Sequence, residues 1–219
     1  MSGLQAVLFD MDGTLCDTEP AWMACETRMA ASVGATWTVE DGLALVGNNL
    51  VDSGRLLKER FGLAETPEQI VEQLVNEVID EVKRSGVEWR PGALELVRTL
   101  NDAGIPVALV TMSYRRFAQP IVDQMPYGVF DAIVTGDEVN RGKPHPEAYV
   151  AAAAQLGVHP ASCVAIEDSP IGAVSARDAG CRVIVVPNHV PVPLSARMVE
   201  RRTLSGMTVG QLARLLTER

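Results

Sequence analysis

The sequence has few basic residues. Lysine and arginine together number 19 against 28 aspartates and glutamates, which gives the 219-residue chain a formal net charge of −9. A protein that binds nucleic acid or an anionic membrane needs a basic surface, so this balance argues against both partners. A small anionic substrate is still compatible with it, because a metal ion or a few local cations can reverse the field within one pocket.

Cysteine and long apolar runs are also scarce. The four cysteines form no C-x-x-C pair, and two of them lie within apolar runs, so we expect reduced, buried thiols. No apolar run approaches the ~18 residues of a membrane span, and the N-terminus lacks the basic stretch that begins a signal peptide. We therefore expect a soluble, cytoplasmic protein, and nothing in the sequence indicates its oligomeric state.

Five short apolar runs predict the strands of a parallel sheet. They are almost continuously apolar rather than alternating, which is typical of strands covered on both faces. Helical segments separate the later runs, and two of them end in glycine, the residue favoured just after a helix. The alternation of strand and helix from about residue 92 onward predicts a doubly wound, Rossmann-like α/β core. The five runs are residues 5–10, 106–111, 131–136, 163–168 and 182–187.

Residues 16–91 interrupt this alternation. They contain no run that we expect to form a strand. Residues 70–82 place aliphatic side chains at four-residue steps, which predicts an amphipathic helix. Residues 19–34 predict another helix, with a proline in its first turn. The sequence thus predicts an α/β core of residues 1–15 and 92–219, with a helical insert of residues 16–91 after the first strand.

Acidic residues follow two of the predicted strands. Functional groups gather at the carboxyl ends of the strands in a parallel α/β sheet. Asp10 and Asp12 follow the first strand, and because positions i and i+2 share one side of a strand, both can face one ligand. Asp168 and Glu167 close the fourth strand. Such a cluster repels itself unless a hard cation neutralises it, and oxygen ligands of this kind favour Mg²⁺.

Donors and one cation complete the predicted site. Thr111 and Ser113 lie between the second strand and a predicted helix, where hydroxyl and backbone N–H groups can hold a phosphate. Lys143 lies in a loop just before a later helix and supplies one fixed positive charge. Carboxylates, Mg²⁺, hydrogen-bond donors and a lysine together predict a phosphoryl-transfer site.

Four segments carry a resemblance to a known family. DMDGTL, the strand end at Thr111, GKPHPEAY and IEDSPIGAVSARDAG follow one another along the chain. In this order they resemble the motifs of the haloacid dehalogenase superfamily, and more narrowly its branch of sugar-phosphate phosphatases and β-phosphoglucomutases with a helical cap. The resemblance covers nearly the whole chain, and residues 16–91 fall where that branch inserts its cap.

The resemblance implies roles for the two N-terminal acids. Asp10 is the expected nucleophile, which would form an aspartyl-phosphate. Asp12 is the expected general acid toward the leaving alkoxide, and then the base that activates water. Dehalogenases lack an acid at the position of Asp12, so the resemblance is to the phosphatases and mutases of the superfamily.

The resemblance also implies a set of binding residues. The residues expected to hold the phosphoryl oxygens are Thr111, Met112, Ser113 and Lys143. The expected magnesium ligands are Asp10, the backbone carbonyl of Asp12, and Asp168, with Glu167 as a further candidate.

Each of these features also has a structural explanation of its own. Asp10 and Asp12 could form a strand-end turn that leads into Gly13. Asp168 and Ser169 could cap the helix that follows them. The presence of four motifs in order favours the functional interpretation.

The sequence defines the reaction more closely than it defines the substrate. The loop of residues 47–50 is neutral and rich in amides, which suits sugar or polyol hydroxyls better than the second phosphate that a mutase must hold. We expect a phosphatase of a small phosphorylated metabolite, with Glu19, Asn48 and Asn49 as candidate substrate contacts. The alternatives are a β-phosphoglucomutase-type mutase and, in a different class, a non-catalytic protein that binds a phosphorylated ligand.

Overall fold

Six parallel strands form the central sheet of the chain. The computed structural model describes residues 3–126 and 130–217. The predicted core range of residues 1–15 and 92–219 therefore contains a few residues that lie outside the described part of the chain. The strands of the described residues are β1 (Ala6–Phe9), β2 (Cys16–Asp17), β3 (Glu88–Trp89), β4 (Val107–Val110), β5 (Ala132–Val134), β6 (Cys163–Glu167), β7 (Arg182–Val185) and β8 (Met198–Glu200). The sheet has the order β5-β4-β1-β6-β7-β8, and every neighbouring pair is parallel. The prediction of a parallel α/β sheet is therefore confirmed.

Helices connect the strands and lie on both faces of the sheet. They are α1 (Glu19–Ser32), α2 (Val39–Leu43), α3 (Leu50–Phe61), α4 (Pro67–Ser85), α5 (Ala93–Asp102), α6 (Arg115–Val122), α7 (Glu147–Gln155), α8 (Pro170–Ala179) and α9 (Val209–Leu215). None of the helices in the described ranges has the length and apolar character needed to cross a bilayer.

The core consists of two apolar clusters, one on each face of the sheet. Along β1, Val7 and Phe9 belong to one cluster with the apolar side chains of α5 and α9. Ala6 and Leu8 belong to the other, with those of α7 and α8. All four side chains are fully buried. Alternate residues therefore face opposite sides, and both sides are covered, which explains why the strands are continuously apolar.

Helices α1 to α4 form one block between β2 and β3. The amphipathic helix predicted around residues 70–82 is α4, which begins with a capping box between Thr66 and Gln69. Its buried residues repeat every three or four positions and pack against α1 and α3. Pro20 lies in the first turn of α1, as predicted.

Three short strands and two short helices, α2 with five residues and α9 with seven, were not predicted from the sequence. The expectation of no strand within residues 16–91 is wrong at its two ends, because β2 and β3 pair antiparallel, Cys16 with Trp89 and Asp17 with Glu88. Strand β8 extends the sheet beyond the five predicted strands. These strands have only two or three residues, so no apolar run marks them.

Candidate active site

Three neighbouring strands bring their carboxyl ends together at one edge of the sheet. Because β1 lies between β4 and β6, the residues that follow these strands become neighbours. Asp10 follows β1, Thr111 follows β4 and Asp168 follows β6. Their exposed fractions are 6%, 0% and 1%. The structure therefore gathers these acids and hydroxyls at one buried place.

Lys143 lies inside this cluster and is 4% exposed. Its ammonium donates to Asp10 Oδ1 at 2.6 Å, to Glu167 Oε1 at 2.6 Å and to the Val110 carbonyl at 3.0 Å. Burial alone would lower the pKa of Lys143, but the Asp10 and Glu167 carboxylates outweigh burial and the pKa is raised. A charged lysine therefore links the end of β1 to the end of β6.

Glu167 is held by partners on both of its oxygens. Oε1 accepts from Lys143 and from the Tyr149 hydroxyl, each at 2.6 Å. Oε2 accepts from Ser169 Oγ at 3.3 Å. Ser169 in turn accepts from the Gly172 backbone N–H at 3.1 Å and caps α8. Glu167 is thus fixed as a counter-charge of Lys143, and Ser169 supplies the helix cap.

The Asp12 carboxylate lies among three hydroxyl groups. Thr18 Oγ1 donates to Oδ1 at 2.5 Å. Thr111 and Ser113 donate to Oδ2 at 3.1 Å and 2.9 Å. Burial raises the pKa of Asp12, and these hydrogen bonds oppose that rise only in part. A positioned carboxyl with a raised pKa is suited to holding and releasing a proton.

The acids of this cluster form a donor set that fits a divalent cation. Oxygens of Asp10, Glu167 and Asp168 lie within 4.8 Å of one another. Asp168 Oδ2 is buried and has no hydrogen-bond partner among the described residues. Burial and the neighbouring Glu167 raise the pKa of Asp10 to about 7, although Lys143 opposes the rise. An unpaired oxygen and mutually repelling carboxylates are the environment that a hard cation stabilises.

Gly13 makes room for Asp168. Its φ of +85° lies in the left-handed region, which favours glycine. A Cβ atom at this position would lie 2.0 Å from Asp168 Oδ2. The glycine that follows the two N-terminal acids is therefore required both by the turn and by the position of the third acid.

The helical block forms the opposite wall of a cavity over these residues. Glu19 lines the cavity, and burial together with the neighbouring Asp12 raises the pKa of its carboxyl to about 8. Asn48 also lines it, whereas Asn49 caps α3 by accepting from the Asp52 N–H at 3.0 Å and faces a different cleft. The lining from the helical block is Glu19, Trp22, Glu26, Leu45, Gly47, Asn48, Leu50, Ser53, Val71 and Leu74.

The loop before α3 approaches the core closely. A Cβ atom on Gly47, whose φ is +82°, would lie 3.0 Å from Ser169 Oγ. On the same side, the rings of Trp22 and Phe117 meet edge to face with their centroids 5.4 Å apart. The helical block therefore contacts the core next to the catalytic candidates.

Three residues in or next to the site were given no role from the sequence. Tyr149, which ends the GKPHPEAY segment, donates to Glu167, and Thr18 donates to Asp12; neither partner is marked by a sequence pattern. Glu26 is 4% exposed and lines the cavity. Its spacing from Glu19 and Trp22, by seven and four residues, places all three on one helix face and is a signal that could have identified it.

Comparison with known proteins agrees with this geometry. The family model described as haloacid dehalogenase-like hydrolase matches residues 4–180. Hexitol phosphatase A of Escherichia coli (strain K12) is 35% identical over 188 residues, which is 85% of this chain and 84% of the relative. N-acetylmuramic acid 6-phosphate phosphatase of Pseudomonas aeruginosa is 36% identical over 190 residues, covering 84% and 81% of the two chains.

A solved structure shows the same fold. The chain is similar to CbbY from Rhodobacter sphaeroides in complex with xylulose-1,5-bisphosphate, with a TM-score of 0.83 and 25% identity. The similarity covers 95% of this chain and 99% of the other.

Proposed function

The chain belongs to the haloacid dehalogenase-like hydrolase family and is a phosphoric monoester hydrolase, and we propose that its substrate is a small phosphorylated sugar or polyol. The observation that carries the proposal is that Asp10, bonded to Lys143, and Asp12 line one cavity whose opposite wall is the helical block. The names of the hexitol and N-acetylmuramic acid 6-phosphate phosphatases support this substrate class.

The proposed reaction has two steps at phosphorus. First, a carboxylate oxygen of Asp10 attacks phosphorus and the ester P–O bond breaks, while Asp12 gives its proton to the leaving oxygen. This step yields an aspartyl-phosphate and the free alcohol. Water then attacks phosphorus, Asp12 takes its proton, and the bond between Asp10 and phosphorus breaks to release inorganic phosphate. The hydroxyls of Thr18 and Ser113 hold the Asp12 carboxyl for both proton transfers, while the Thr111 hydroxyl turns from Asp12 to the phosphoryl group.

The phosphoryl group is held by residues from two strands and a loop. Lys143 supplies positive charge beside Asp10, and the hydroxyl of Thr111 and the backbone of Met112 and Ser113 lie at the end of β4. Donors fixed before the reaction begins stabilise developing charge without reorganising.

Magnesium is the proposed cofactor. Asp10, Asp168 and the backbone carbonyl of Asp12 would hold it, with Glu167 beside them. When bound, it supplies positive charge that neutralises the acids and polarises the phosphoryl oxygens. The buried, unpartnered Asp168 Oδ2 supports this assignment.

Residues 16–91 are proposed to act as a cap that encloses the substrate. The two chain segments that join this block to the core pair with each other as β2 and β3. Bending at these segments would open the cavity for substrate, and closing would exclude water during formation of the aspartyl-phosphate.

Two alternatives have less support. A phosphomutase must hold a second phosphate, yet among the described residues that line the cavity Lys143 is the only cation, and it already contacts Asp10 and Glu167. A non-catalytic binder of a phosphorylated ligand is expected to have lost one of the two N-terminal acids, and both Asp10 and Asp12 are present.

A phosphate-release assay tests the proposal. The purified protein with Mg²⁺ is incubated with phosphorylated sugars, polyols, nucleotides and glycolate, and glucose 1-phosphate isomerisation with a bisphosphate primer is followed in parallel. We expect release from sugar or polyol phosphates, and its loss in Asp10→Asn. Release confined to nucleotides or glycolate would contradict the substrate class, and full activity of Asp10→Asn would contradict the nucleophile.

A further inference from the structure

One face of α1 continues the cavity beyond the phosphate-binding residues. Glu19, Trp22 and Glu26 are spaced by three and four residues and all line the cavity. The Asp12 and Asp10 charges contribute to the raised pKa of the Glu19 carboxyl, whereas burial raises the pKa of Glu26 and the Trp37 hydrogen bond opposes the rise. Seven residues of α-helix rise about 10 Å, so Glu26 lies about two turns further along α1 than Glu19.

The Glu26 carboxyl is held so that one oxygen is free. The Trp37 indole N–H donates to Oε2 at 2.9 Å. No hydrogen bond from a residue in the described ranges reaches Oε1 of this 4% exposed side chain. A ligand in the cavity can therefore donate to Oε1 without displacing the Trp37 hydrogen bond.

Among the described residues that line the cavity, the one cation lies on the core side, next to the catalytic acids. Lys143 lies beside Asp10, whereas the helical block contributes Glu19 and Glu26 and, among its described lining residues, no cation. A second phosphate or a carboxylate beside the helical block would therefore meet no positive charge. Trp22, Leu50, Val71 and Leu74 add apolar side chains to the lining, which can pack against the C–H groups of a carbon chain.

We propose that Glu26 is a specificity-determining residue that accepts a hydrogen bond from an uncharged hydroxyl at the end of the substrate remote from its phosphate. This inference rests on the proposed function and deepens it. The enzyme then selects hydroxylated monophosphates and rejects bisphosphates. Burial raises the pKa of Glu26 to about 7, so near neutral pH the carboxyl is a better match for a hydroxyl than for a permanent cation.

A set of matched substrates tests the proposal. Phosphate release is measured with glucitol 6-phosphate and with its analogues that carry hydrogen, ammonium or phosphate in place of the hydroxyl on C1. p-Nitrophenyl phosphate, which has no such hydroxyl, serves as the reference substrate. We expect wild type to prefer the hydroxyl over each replacement by roughly 10- to 100-fold in kcat/KM.

Two variants assign that preference to Glu26. Glu26→Leu should remove the discrimination between hydroxyl and hydrogen, measured as the ratio of the two kcat/KM values. Glu26→Gln keeps the shape of the side chain and should lose only part of the discrimination between hydroxyl and hydrogen. It tests the proposal if the leucine variant does not fold. Glu59→Gln, on the exposed face of α3, is the matched control and should behave as wild type.

The outcomes separate this proposal from the proposed function. Equal discrimination in wild type and both Glu26 variants, or a wild-type preference for the ammonium or phosphate analogue, would overturn the role of Glu26. If wild type releases phosphate from p-nitrophenyl phosphate but from none of the glucitol phosphates, the substrate class fails as well. Release from no compound would overturn the phosphatase itself.

Discussion

Lys143 Nζ and Asp10 Oδ1 lie 2.6 Å apart in a site where both side chains are almost fully buried. A buried charge that loses its partner is strongly destabilising. Since Lys143 also contacts Glu167 at 2.6 Å, its removal would leave two carboxylates without their common counter-ion.

Lys143→Met should therefore lower both activity and stability. We expect kcat to fall by roughly 100-fold or more, as is typical when a preorganised electrostatic contact is removed, and unfolding free energy to fall by about 3 kcal/mol. Steady-state phosphate release and urea unfolding measure the two effects. The control Lys83→Met changes an exposed lysine of α4 and should alter neither kcat nor the unfolding free energy. A Lys143→Met enzyme with normal kcat would disprove the role of Lys143 at the phosphoryl group.

Removal of divalent cations should abolish phosphate release. Without a cation, burial and the Glu167 charge raise the pKa of Asp10 to about 7, so a large share of the nucleophile is protonated near neutral pH. Activity in excess EDTA should be lost and should return when Mg²⁺ exceeds the chelator. Unchanged turnover in EDTA after metal-free purification would contradict the magnesium proposal.

Gly13→Ala should weaken the metal site in particular. The new Cβ would lie 2.0 Å from Asp168 Oδ2, so the carboxylate must move. We expect a higher Mg²⁺ concentration for half-maximal activity and weaker Mg²⁺ binding by calorimetry. Gly104→Ala is the matched control: its φ is +67° but a Cβ there meets no atom within 4 Å, so it should cost only about 1 kcal/mol of stability. An identical Mg²⁺ dependence in both variants would argue against the contact.

Gly47→Ala should impair the approach of the helical block to the core. Its Cβ would lie 3.0 Å from Ser169 Oγ, and a small misplacement near the reacting groups lowers kcat/KM by roughly 10- to 100-fold. Gly34→Ala, with a φ of +71° and open space around its Cβ, shares the backbone strain without the contact. Comparable kcat/KM values for the two variants would show that the Gly47 contact does not matter.

Glu26 should make stability depend on pH. Burial raises the pKa of its carboxyl from 4.5 to about 7, with the Trp37 hydrogen bond opposing the rise. Above pH 4.5 the folded protein therefore holds a proton that the unfolded chain releases, so this group's contribution to stability falls as pH rises toward 7. Glu26→Gln should remove up to about 3 kcal/mol of the difference in unfolding free energy between pH 5 and pH 8. Urea titrations in EDTA at pH 5 and pH 8 measure the unfolding free energy. An undiminished pH dependence in the variant would contradict the raised pKa of Glu26.

The sheet and the cluster of acids could be predicted because their signals are local. Five strands appear as continuous apolar runs, and each predicted acid is placed by the end of the strand before it. Asp10, Thr111 and Asp168 meet because β4, β1 and β6 are neighbours in the sheet. This strand order is common in doubly wound α/β folds.

The remaining contacts could not be predicted because they join residues that are distant in sequence. The partners of Glu167, Lys143 and Tyr149, precede it by 24 and 18 residues. Strand β8 depends on its pairing with β7 and not on its own three residues. Asn49 was expected at the substrate, but its side chain caps α3, and sequence alone does not distinguish the two uses of an asparagine before a helix.

The pairing of β2 with β3 has a consequence for how this protein can change. Because Cys16 lies opposite Trp89, the chain leaves the sheet and returns to it at neighbouring points, and a segment whose ends are adjacent can be exchanged as a unit. A different helical block joined at the same two positions would meet the same acids and the same lysine. A grafted block that keeps Thr18, whose hydroxyl donates to Asp12, is therefore expected to change the substrate and to leave the groups that act on phosphorus in place.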